Sequence, residues 1–104
     1  MITITGTVGS SGKYLVTGIP VDTHVGHVIL KIAFENNTAG TNLTLAAGTD
    51  ANFAAGTVGT LLSDSGGPGF RFLTLIDTHQ LAGKIIYVLR SVGSADSAFT
   101  INIE

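Results

Sequence analysis

The stretch "ITITGTV", Ile2 to Val8, decides the fold. Ile2, Ile4 and Val8 fall on one side of it, and Thr3, Thr5 and Thr7 on the other. A period of two is that of a strand, whose successive side chains point to opposite faces. The far end of the chain reads the same way. In "AFTINIE", Phe99, Ile101 and Ile103 oppose Thr100, Asn102 and Glu104. In "TNLTLAAG", Leu43 and Leu45 oppose Asn42 and Thr44. These are half-buried strands, and the two terminal ones suit a single shared sheet.

Three further segments are apolar on both sides. In "HVILKIAF", Val28, Leu30, Ile32 and Phe34 make one face and Ile29, Lys31 and Ala33 the other. In "KIIYVLR", Ile85, Tyr87 and Leu89 share one face, and Lys84, Ile86, Val88 and Arg90 share the other. "GFRFLTLI" is the third. Strands of this kind lie centrally in a sandwich or are covered by a partner. No long window keeps apolar residues at helical spacing. Turn clusters "GSSGK", "ENNTAGT", "AGTDANFAAGT", "SDSGGPG" and "SVGSADS" separate the strands. The expectation is an all-β single domain over residues 1–104. Its architecture is a two-sheet antiparallel β-sandwich, jelly-roll-like, with about eight strands.

Two strings recur in the same order: GTVG at 6–9 and 56–59, and DTH at 22–24 and 77–79. Around them "YLVTGIPVDTH" corresponds to "FRFLTLIDTH", "VILKIAFENN" to "IIYVLRSVG", and "NLTLAAG" to "FTINIE". The pattern is that of two related four-strand units joined near "AGTDANFAAG". DTH then ends a strand, where Asp can bond the amide two residues on and hold a turn. The competing reading is a metal site from Asp22, His24 and His27, joined by Asp77 and His79 if the two corners meet. The second half has Ala82 and Gly83 where His27 stands in the first, and H-x-x-H on a loop is unspecific. The turn reading is therefore preferred, and no metal or cofactor is expected.

Other chemistry fares no better. "GTVGSSGKY" fails the phosphate-loop pattern, since Thr7 replaces the first Gly and Tyr14 follows Lys13. "SDSGGPGF" puts Ser beside Asp without a G-x-S-x-G elbow. The acids sit mostly in turns, which leaves no carboxylate pair for glycoside hydrolysis. The sequons at Asn36 and Asn42 have no secretory signal beside them, because "MITITGTVG" lacks a basic start and an apolar stretch. The chain is not expected to be an enzyme. A net charge of −2 leaves no basic patch for nucleic acid, and the longest apolar run contains Lys31 and is too short for a bilayer. Only 12% of residues are charged, Gly contributes 14, and there is no Cys. A surface of Thr, Ser, Gly and Ala is neutral and adhesive, suited to packing against other chains.

In length, composition and strand pattern the whole chain resembles the jelly-roll decoration, or cement, proteins of bacteriophage capsids. That resemblance implies a virion protein without catalysis. It would be homo-oligomeric, trimers being common, and would stabilise the shell through contacts with the major capsid protein or other virion subunits. Edge strands for such contacts are expected at Ile2 to Thr7 and Phe99 to Glu104. The candidate interface residues are Ile2, Thr3, Thr5, Phe53, Thr100 and Asn102. Phe53, in "TDANFAAGT", could plug a neighbouring subunit, cover its own sandwich end or anchor a ligand. The alternative is a carbohydrate- or receptor-binding module of a fibre or secreted protein, against which the absence of Trp counts. A third reading is a metal-dependent, cupin-like enzyme using His24, His27 and His79.

Overall fold

The structure is a computed structural model and describes residues 2–19, 29–49, 58–65, 71–81 and 83–104. Eight strands run along these residues: β1 (Ile2–Val8), β2 (Lys13–Val16), β3 (Ile29–Asn36), β4 (Asn42–Gly48), β5 (Val58–Ser65), β6 (Arg71–Asp77), β7 (Ile85–Val92) and β8 (Ser97–Ile103). A single helical turn, α1 (Thr78–Leu81), follows β6. Four residues are too few to show a helical period in sequence. Among the described residues no helix is long and apolar enough to cross a membrane.

The strands form two four-stranded antiparallel sheets, ordered β1-β8-β3-β6 and β2-β7-β4-β5. The pairs β1·β8, β2·β7, β3·β6 and β4·β5 are nested like the arms of one long hairpin folded over on itself. That is the topology of a jelly roll. The expected fold class is therefore found, and both terminal strands do share a sheet, with Ile2 beside Ile103.

The order also carries a two-fold relation. Replacing each strand of the first sheet by the one four places away gives β5-β4-β7-β2, the second sheet read backwards. The strand starts Ile2, Lys13, Ile29 and Asn42 recur at Val58, Arg71, Ile85 and Ser97. The two GTVG strings are out of phase with this relation. The first lies at the end of β1, whereas Val58 and Gly59 of the second open β5. The second DTH does fall at a strand end, since Asp77 closes β6 and Thr78 opens α1. The first DTH lies outside the described residues. The "SDSGGPG" turn starts later than its composition predicts, because Ser63, Asp64 and Ser65 belong to β5.

The core lies between the sheets. Leu30, Ile32 and Phe34 of β3 and Phe99, Ile101 and Ile103 of β8 face Leu43, Leu45 and Ala47 of β4 and Ile86 and Val88 of β7. These are the faces that alternation assigns. Tyr87 and Ala46, which neighbour each other across β7 and β4, alternate away from the core-facing residues yet are fully buried.

Gly6 fixes one side of this core. Tyr14 of β2 crosses from the second sheet and lies over it. A Cβ at Gly6 would stand 2.5 Å from Tyr14 Cζ and 2.9 Å from Phe99 Cζ. The Tyr14 and Phe99 rings meet edge to face, 5.0 Å apart at 78°. Strand glycines mark such close approaches. Gly6→Ala is expected to cost about 1–3 kcal/mol, read as a lower denaturation midpoint. In a Tyr14→Ala background the penalty should shrink, since the closer of the two rings that the new methyl strikes is gone and Phe99 gains room to shift.

Candidate interaction face

The outer face of the first sheet is built by the residues that alternate away from the core. Register sets them in rows. Thr5, Thr100 and Glu35 form one; Thr3, Asn102, Ala33 and Leu73 the next; Lys31 and Leu75 are neighbours in a third. Ile29 stands beside Asp77 beyond them.

The two sides of this face differ in chemistry. The β1–β8 side is hydroxyl, amide and methyl. Thr3 Oγ1 donates to Asn102 Oδ1 at 2.8 Å, and Asn37 Nδ2 donates to Thr100 Oγ1 at 3.0 Å. These bonds hold the side chains in place and leave further lone pairs and N–H groups for a neighbour. In the middle, Lys31 Nζ and Glu104 Oε2 are 3.5 Å apart and both half exposed, a contact worth little by itself. The β6 side is apolar: Leu75 is 70% exposed, and Ile29 and Leu73 are each 57% exposed.

Thr3, Thr5, Thr100 and Asn102, predicted as interface residues, are thus brought together as two facing pairs, Thr3 with Asn102 and Thr5 with Thr100. Ile2 belongs to the core-facing side but is 41% exposed where the strand begins. Phe53, His24 and His27 lie outside the described residues, and for His79 only the backbone, in α1, is described. Among the described residues no three of His, Cys, Asp or Glu gather as metal ligands would.

The second predicted edge needs correction. β8, which carries Phe99 to Ile103 of the predicted segment, is flanked by β1 and β3 and is not an edge. A polar outer face looks identical in sequence on edge and inner strands; only the partner of β3 distinguishes them. Among the described strands the edges are β1 and β6 in the first sheet, β2 and β5 in the second. Sequence reading missed the exposure of Leu73 and Leu75. The signal was present, since "FRFLTLID" is apolar on both faces, but alternation could not say which face turns outward.

Loops at one end are held by Arg90. Its Nη1 donates to the carbonyls of Val8 (3.3 Å), Gly9 (3.0 Å) and Ala95 (3.0 Å), and its Nε to that of Gly93 (3.1 Å). Gly93, at φ 92°, packs where a Cβ would be 2.7 Å from Gly40 O. The buried Asn36 donates to Thr41 O at 2.7 Å and accepts from Thr38 N at 3.0 Å, which fixes the β3–β4 turn.

No family model matches the chain, and no curated protein and no solved structure matches it.

Proposed function

We propose that this chain is a non-catalytic structural protein of a bacteriophage particle, a decoration protein that binds the capsid shell through the Thr/Asn side of its first sheet. The observation that carries the reading is the facing set Thr3, Thr5, Thr100 and Asn102 on an exposed sheet face. Hydroxyl, amide and methyl groups hydrogen-bond and pack; none is an acid, a base or an activated nucleophile near neutral pH. Neutral side chains also shed water at lower cost than charged ones, which suits a buried interface centre. Each copy contributes modest energy, and many copies on one shell add their effects. The partner in this reading is the major capsid protein, the assembly homo-oligomeric and the location the virion.

The test is co-sedimentation with particles of the parent phage stripped of this protein. Wild type is expected to pellet with the shells. Thr5→Arg, which places an unpaired charge in the contact, should bind on the order of 30-fold more weakly or worse. Leu15→Arg, on the outer face of the second sheet, should bind as wild type. A chain that stays in the supernatant, or two variants that behave alike, overturns the proposal.

A further inference from the structure

We propose that β6 is a homotypic docking edge, onto which a second copy of this chain adds its own β6 antiparallel, centred on Thr74, to make one continuous eight-stranded sheet. This pairing does not depend on shell binding.

Edge strands carry unpaired main-chain groups, and proteins usually guard them. The second sheet does so: β2 has four residues, and β5 is irregular, with register shifts against β4. Among the described residues, no further strand pairs with the edges of the first sheet. β6 has seven residues, no proline, and charged residues only at its two ends, Arg71 and Asp77. Its exposed apolar residues, Leu73 and Leu75, lie beside the open edge.

The sequence of β6, "RFLTLID", is self-complementary. With Thr74 opposite Thr74 of the second copy, Leu73 stands opposite Leu75 and Arg71 opposite Asp77, each pairing occurring twice. Opposite charges and apolar pairs directly across strands are favourable. A twofold axis perpendicular to the sheet keeps outer residues opposite outer ones, so the register can slip only in steps of two. One such slip puts Arg71 opposite Leu75; the other puts Asp77 opposite Leu73. Only the Thr74-centred register matches every residue. β1, the other open edge, is uncharged and has nothing comparable to set a register. A twofold contact of this kind closes on itself and yields a dimer.

The chain has no Cys, so a single introduced thiol reports the pairing cleanly. Thr74→Cys, Leu73→Cys and Thr5→Cys are each exposed to mild oxidant and read on non-reducing gels. Directly opposite residues lie about 4.5–5.5 Å apart between Cα atoms, within disulfide reach, and diagonal ones about 7–8 Å apart, beyond it. Thr74→Cys should therefore form covalent dimer at least about tenfold faster than the other two. Light scattering of wild type across a concentration series should show the mass rising to twice that of the monomer. Equal rates at the three positions, faster linkage at Leu73→Cys or Thr5→Cys, or a wild-type mass fixed at one chain or at three overturns the proposal. Shell binding that fails while Thr74→Cys still links would sink the function reading alone.

Discussion

Replacing Phe99 by alanine lowers the unfolding free energy by about 3–5 kcal/mol, the largest loss expected of any single truncation here. The ring is 1% exposed and sits in the core between the sheets. It stands edge to face with Tyr14 and lies 6.0 Å from Phe34. It also lies against Gly6, whose missing side chain leaves space for it. Few neighbours can fill the hole, because Gly6 has nothing to move inward and Tyr14 is already in contact. A cavity that cannot collapse gives the upper part of the range. Urea titration measures it: the midpoint should fall with the slope unchanged. A loss below about 1 kcal/mol would mean that this aromatic cluster is not the keystone of the core.

Arg90→Met is expected to cost about 2–3 kcal/mol, from a residue that is not in the apolar core at all. On β7 it shares the face of Ile86 and Val88, but it lies at the sandwich end, where its guanidinium reaches main-chain carbonyls of two chain segments there. Val8 and Gly9 belong to the β1–β2 side, and Gly93 and Ala95 to the β7–β8 side, so one side chain ties the two sheets together. Methionine keeps the stem and removes every donor. Arg90→Lys should recover less than half of the loss, because an ammonium cannot reproduce the planar fork that meets several carbonyls at once. Hydrogen exchange localises the effect: Gly12 N, bonded to Gly9 O at 3.0 Å, should exchange faster in Arg90→Met, and the amides of β3 should not. Uniform acceleration would mean that Arg90 acts on global stability only.

How far the sequence reaches depends on how one-sided each strand is. β1, β8 and the first half of β4, Asn42 to Leu45, alternate sharply, so the sequence alone gives their core faces. β6 does not, because Phe72 and Ile76 on one side and Leu73 and Leu75 on the other are equally apolar; its orientation comes from pairing with β3, a partner far away in sequence. Edge position is legible even less. Phe99 to Ile103 has the pattern of an edge and lies inside the sheet, since the only difference is a second neighbour. The Thr/Asn set was readable because residues opposite each other in two terminal strands follow once those strands pair. GTVG shows the opposite hazard. In a chain rich in Gly and Thr a four-letter match arises without structural phase, whereas the strand order itself carries the two-fold relation.

The neighbouring positions of Ile2 and Ile103 have a consequence for how the chain is made. Of the described strands β1 is made before all the others, and its described partner, β8, is made after them. Until then β1 lacks this pairing, and the first sheet waits on a contact between residues far apart in sequence, which makes folding slow. The same adjacency invites circular permutation: a short linker from Glu104 to Met1, with new ends opened between Gly9 and Gly12, would let β1 emerge directly after β8. Such a rearranged chain should refold faster than the natural one while keeping the same sandwich.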